Sequence, residues 1–244
     1  MRSPKTPARG ALALALSTLL LAACGGEAPA GDGSDSLTRT LLDARARETR
    51  EPPSPLRDVP VAELGFDFGT VDAPVRVVEL SDFGCGYCRQ FHLETWPSLR
   101  DEFVETGRVE WKFVPYVTGM FENSLEATRA AECTLEQGED LYVTYAERLW
   151  ADQPEWKGSD APRALLRGWA EQAGADAATF DECMTSGRRF ERVAAAGGLA
   201  RQLAVRGTPT FFVVGYGPLQ GALPVDVFRD LLTQVYARET EGGA

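Results

Sequence analysis

Two short segments of this 244-residue chain carry residue types that could do chemistry together: Cys85-Gly86-Tyr87-Cys88 and Thr208-Pro209-Thr210. Two cysteines with two residues between them, opening a helix after a strand, are a common way to present a reversible dithiol. Pro209 has no N–H. If its peptide bond is cis, it would hold the backbone of Thr208 open beside the sulfurs, where an incoming peptide could pair as a short added strand. The plainer alternative is a trans-proline at a strand start. Together the segments point to thiol–disulfide exchange.

Within the dithiol the roles divide by position. Cys85 sits at the helix start, where unpaired N–H groups favour an anion, so its thiolate should form well below the free-thiol value of about 8.5. That makes Cys85 the nucleophile. Cys88, one turn deeper, is the resolving thiol that closes the disulfide. Gly86 and Tyr87, between them, are candidate modulators of the pair. His92 lies on the same helical face and could stabilise the Cys85 thiolate, or else serve in packing or hydrogen bonding. A metal site is poorly supplied: Cys85, Cys88 and His92 offer three ligands at most, and His92 is the single histidine of the chain. Structural zinc uses four closed ligands. Haem attachment needs a histidine directly after the second cysteine, where Arg89 stands. No metal or cofactor is therefore expected, and copper handling is the alternative from another functional class.

The elements that must hold these groups can be read around them. Residues 75–80 (VRVVEL) form a β-rich run bounded by Pro74 and Ser81-Asp82. Strand parity puts Glu79 with Val75 and Val77, opposite Arg76, Val78 and Leu80. In a central strand covered by helices Glu79 would be buried; at an edge it would be exposed. A helix follows from Cys85, with Cys88, Phe91, Thr95, Leu99 and Phe103 at helical spacing and Pro97 expected to kink it. Residues 109–114 are the next strand. Residues 122–205 are helical in pattern, with breaks at Gln153-Pro154, Gly174 and Gly187. Residues 210–214, a Gly-Tyr-Gly turn and Leu219-Gln220 read as a hairpin. Pro224 starts a last helix, with Val227, Phe228, Leu231 and Val235 facing inward. The order β-α-β, helical block, β-β-α exceeds the roughly 100 residues that the frame without the block needs.

On the run APVRVVELSDFGCGYCRQFH, the AAEC and FDECM segments and VRGTPTFFV, the chain resembles the DsbA-type thiol–disulfide oxidoreductases over about residues 59–237. The resemblance implies an α/β, thioredoxin-like fold with a helical insertion at about 120–205, and a cis-proline at Pro209. It also implies a buried acid at Glu79, able to take the proton as Cys88 attacks, and a structural disulfide between Cys133 and Cys183. The residues alone leave these last two cysteines open as free buried thiols. Thr208 and Pro209 would bind substrate. Substrates would be exported proteins bearing cysteines, and a membrane redox partner, either a quinone-linked oxidase or a reductase, would reset the pair. Gly-Tyr departs from the Pro-containing dipeptide frequent in the family and, with Thr208, is similar to DsbC-type isomerases. Disulfide formation leads; isomerase or reductase activity is the alternative.

The termini set the compartment. Arg2, Lys5 and Arg9 precede a short apolar run over 11–23, too short to span a bilayer, which reads as an export signal. It ends Leu-Ala-Ala-Cys24, similar to a bacterial lipobox, so residues 1–23 are expected to be a lipoprotein signal peptide and Cys24 the lipidation site. Residues 24–58, rich in Gly, Pro, Ser and Asp, are expected to be a lipidated flexible tether, and residues 59–244 the globular domain. An exported chain meets an oxidising compartment, where disulfides persist. The mature chain carries 22 basic against 36 acidic residues, net −14. That balance excludes a nucleic-acid binder of the usual basic kind and leaves lipid as the membrane contact. A monomer is expected, anchored to a membrane and facing periplasm or cell exterior.

Overall fold

The computed structural model describes residues 61–241. The export signal, Cys24 and the tether lie outside the described residues.

A five-stranded mixed sheet has the order β1-β3-β2-β4-β5. Its strands are β1 (Phe66–Phe68), β2 (Val75–Ser81), β3 (Val109–Pro115), β4 (Thr210–Val213) and β5 (Gly217–Gln220). The β-branched run of β2 lies at the centre, parallel to β3 and antiparallel to β4, with Glu79 opposite Phe113 and Phe211. Being central, β2 is covered on both faces, and of its seven residues Arg76 alone is exposed. The three-residue strand β1 pairs antiparallel with β3 and was not foreseen. Phe-Asp-Phe is too short to show a period, and it stands between Gly65 and Gly69, both with positive φ.

The helix after β2 runs as α1 (Gly86–Gln90), a π-helical stretch (Phe91–Thr95), α2 (Trp96–Leu99) and a second π-helical stretch (Arg100–Val104). Pro97, where a kink was expected, lies within α2, flanked by the two π-helical stretches. The N–H of Trp96 reaches back five residues to Phe91 and that of Glu105 to Arg100, so wider turns accommodate the ring.

Six helices then form the insertion: α3 (Ser124–Leu135), α4 (Glu139–Ala151), α5 (Gln153–Lys157), α6 (Pro162–Ala173), α7 (Ala177–Ser186) and α8 (Phe190–Gln202). Gly174 and Gly187 fall between helices, and two further breaks lie at 136–138 and 158–161. The break expected at Gln153-Pro154 falls one residue earlier, at Asp152, with Gln153 and Pro154 opening α5. The last helix, α9 (Val225–Glu241), buries Phe228, Leu231, Leu232 and Val235; Leu232 takes the inward place expected of Val227.

Three apolar clusters organise the molecule. One packs Val75, Val77 and Trp111 of the sheet against Phe91, Leu99 and α9. The opposite face packs Val78, Leu80 and Phe212 against α8. The third joins the insertion to Phe83, Cys85, Cys88 and Phe113, so the dithiol sits at the seam between sheet and insertion. Cys133 of α3 and Cys183 of α7 are bonded within this cluster, S–S 1.96 Å.

Candidate active site

Cys85 precedes the first residue of α1 in extended conformation, φ −79° and ψ 127°. That geometry turns its sulfur toward the open N–H groups of the first helical turn. Its thiol is drawn down from 9.0 to about 6. The largest cause is a hydrogen bond from the Cys88 thiol. The Thr208 hydroxyl and the backbone N–H groups of Cys88 and Tyr87 add to it, against the opposing effect of burial. Cys88, fully buried, is pushed well above its ordinary value, first by burial and then by its bond to, and repulsion from, the Cys85 thiolate. The chain thus offers one sulfur that ionises readily and one that holds its proton. Between them Tyr87 is 68% exposed, whereas Cys85 is 4% exposed.

The Thr208–Pro209 bond is cis. It brings the Thr208 carbonyl to 3.3 Å from Cys85 Sγ, which donates to it. The Thr208 hydroxyl is buried beside both sulfurs without a well-aligned partner, and it lowers both thiols. Thr210, just beyond, pairs with Leu80 of β2, so the sheet fixes the proline segment against the dithiol.

Glu79 is fully buried on the Val75/Val77 face. Its Oε2 accepts from Trp111 Nε1 at 2.9 Å, and its Oε1 lies 2.8 Å from His92 Nε2 and also accepts from the Ser81 hydroxyl. Ser81 in turn touches the Cys88 thiol and lowers it. His92 is therefore committed to Glu79, and its ring stacks on Trp150 at 4.3 Å between centroids. Among the described residues no three His, Cys, Asp or Glu side chains converge as a metal would need.

Sequence reasoning did not find the groups that hold the loop 82–85. Gln153 of α5 donates to the carbonyls of Phe83 (2.6 Å) and Cys85 (2.9 Å), and Lys157 donates to that of Gly84 (2.7 Å). Three successive carbonyls of the approach to the dithiol are thus captured by the insertion. Asp82 binds the Gly84 N–H, Thr118 and the Ser124 hydroxyl from below. Gly84 must lack a side chain, because a Cβ there would sit 2.4 Å from Phe121 Cβ. Gln153-Pro154 read only as a helix break; nothing in the local sequence says which carbonyls a distant glutamine will reach.

A groove of about 360 Å³ runs between the helix that follows the dithiol and the insertion, lined by Phe68, His92, Trp96, Phe113, Tyr142 and Trp150 among others.

A dithiol of unequal acidity against a cis-proline, on a β-α-β/β-β-α frame, defines a thioredoxin-type exchange site. The thioredoxin family model matches residues 65–223. Probable disulfide bond formation protein D of Bacillus cereus is 27% identical over 60% of this chain and 68% of its own. The Na(+)/H(+) antiporter NhaA 3 of Salinispora tropica is 36% identical over 62% of this chain, a stretch that makes up 22% of the antiporter. Among solved structures, alpha-DsbA1 of Wolbachia pipientis superposes with TM-score 0.69 over 78% of this chain and all of its own, at 17% identity. The chain belongs to the thioredoxin family, as a DsbA-type thiol–disulfide oxidoreductase.

Proposed function

We propose that the protein forms disulfide bonds in exported proteins, with Cys85 as the exchanging sulfur, Cys88 as the resolving sulfur and Glu79 as the acid–base group for Cys88. The observation that carries this reading is the unequal acidity of the two thiols. Stabilising one thiolate stabilises the reduced form, and a dithiol with a stabilised reduced form is a strong oxidant. In the forward step a substrate thiolate attacks Cys85 and Cys88 leaves as the second thiolate. A second substrate thiolate then attacks the substrate sulfur of the mixed disulfide and frees Cys85. Thr208, beside a proline that withholds its N–H, offers the backbone edge on which the substrate peptide pairs. Isomerase or reductase activity is the second reading, favoured by Gly86-Tyr87 and the Thr208 hydroxyl.

The deciding measurement is the redox state of Cys85–Cys88 in cells, read by thiol alkylation. A mainly oxidised pair supports disulfide formation, and a mainly reduced pair supports the second reading. If purified protein neither oxidises a reduced peptide nor reduces insulin with dithiothreitol, exchange itself is refuted. Cys24 is the proposed lipid attachment site and residues 24–58 the tether, which would hold a monomer beside a membrane redox partner. Among the described residues no helix is long and apolar enough to cross a membrane. Cys24→Ala should release the protein from membranes or leave it uncleaved; an unchanged membrane-bound mature form would refute lipidation.

A further inference from the structure

The proposed acid–base role of Glu79 leaves a question of transport. A proton taken from Cys88 must leave a fully buried carboxylate, and one returned to Cys88 must arrive there. Glu79 has no exposure of its own, and Trp111 closes its Oε2 side. Among the described residues two hydrogen-bonded contacts remain, both on Oε1: the Ser81 hydroxyl and His92 Nε2. Ser81 is also fully buried, near the end of β2; it donates to Glu79 and lowers the Cys88 thiol. His92 differs from both. Its side chain is 8% exposed, and its ring forms part of the groove wall beside Trp96, Phe113 and Trp150. The helical spacing that puts His92 on the Cys88 face, and the stack on Trp150, fix the ring between the carboxylate and this opening.

We propose that Ser81, Glu79 and His92 form a proton path from Cys88 to the groove, with Ser81 as the link to the thiol and His92 as the exit. The proposal rests on the reading of Glu79 as the acid–base group. In resolution of a mixed disulfide, the Cys88 S–H bond breaks and its sulfur bonds to Cys85. The substrate sulfur leaves with the electron pair of its former bond to Cys85. The thiol proton passes to Ser81 Oγ while the Ser81 hydroxyl proton passes to Glu79 Oε1. A proton then moves from Oε1 to His92 Nε2, and the imidazolium gives one up to water in the groove. When a substrate thiolate opens the Cys85–Cys88 disulfide, the same path runs backward and protonates Cys88. No oxidant or reductant is consumed along the path.

The test is single-turnover release of substrate from a preformed Cys85 mixed disulfide, measured beside the rate of first attack by Cys85. His92→Ala should slow release by about tenfold, below the usual worth of a full acid–base group because Glu79 still takes the proton. First attack should change little. Added imidazole, small enough for the vacated groove wall, should restore release toward the parent rate. Ser81→Ala should slow release as Glu79→Gln does, and the Ser81→Ala/Glu79→Gln double variant should be no slower than Glu79→Gln alone. Parent-rate release in His92→Ala, or slow release that imidazole does not raise, overturns the exit. Additive losses for Ser81 and Glu79 overturn the link. If Glu79→Gln itself releases substrate at the parent rate, the underlying acid–base reading has failed instead. Where His92→Ala does not fold, the Ser81 and Glu79 cycle still decides the link, and His92→Gln, which keeps a hydrogen bond to Glu79 but carries no titrating proton, decides the exit.

Discussion

Exchange at a dithiol is governed by which sulfur is the better anion and which the better leaving group, and here Cys85 is both. Cys88→Ser should therefore trap substrate proteins on Cys85 as stable mixed disulfides, and Cys85→Ser should abolish trapping. Non-reducing electrophoresis of the two variants reads this directly, and adducts retained by Cys85→Ser would contradict it. The Cys85 shift also has a signed consequence for stability. The thiol titrates near 6 in the fold against 9.0 ordinarily. Between these values the unfolded chain binds a proton that the folded, reduced protein does not, so stability rises with pH across the window. The gain is full above 9.0 and is lost as pH falls through about 6. The oxidised protein has no such thiol. Thermal unfolding of both forms on either side of pH 6 should show the reduced form gaining on the oxidised form as pH rises; parallel curves would argue against a stabilised thiolate.

At the scale of elements, the dithiol is held from two directions: β4 brings the proline segment, and α5 captures the carbonyls before Cys85. Gln153→Ala leaves two buried carbonyls without that donor, a loss of about 1–3 kcal/mol. Gln153→Glu should cost more, since it sets carboxylate oxygen against carbonyl oxygen. Urea unfolding measures both, and the absorbance of the Cys85 thiolate shows whether the sulfur moves. These dependencies also mark what a sequence can disclose. Cys85, Cys88, Pro209 and the runs of β2 and β4 were legible because their signals are local: a spacing, a proline, a β-branched run. Strand parity gave the face of Glu79 but left its burial open, which the central place of β2 decides. Strand β1 had too few residues to show alternation, and the π-helical turns around Pro97 depend on the helix staying packed along Trp111 and α9. Gln153, Lys157, Ser81 and Asp82 act through bonds set by tertiary placement, and no periodicity reports those.

At the scale of the molecule, the insertion is the part that the sheet alone would not require, and its integrity rests on a covalent tie. Cys133 and Cys183, 50 residues apart, join α3 to α7. Closing a loop of that length should stabilise by about 2–4 kcal/mol, mostly by restricting the unfolded chain. Cys133→Ala/Cys183→Ala should therefore unfold at lower urea concentration with Cys85–Cys88 still able to exchange. Its guide is that the tie joins two insertion helices, whereas the groups bonded to Cys85 and Cys88 (Thr208, Tyr87 and Ser81) lie on neither. Loss of exchange in a variant that remains folded would instead tie the bridge to the chemistry.

That same bridge makes the protein a customer of its own trade. Each newly made copy starts with Cys133 and Cys183 apart and must receive from an oxidant the bond that finished copies give to others. Where finished copies are that oxidant, maturation feeds on itself: the first molecules complete slowly, and each one completed hastens the rest. Oxidative refolding of the reduced chain in a slow oxidant should then begin with a lag, and a trace of mature protein should erase it.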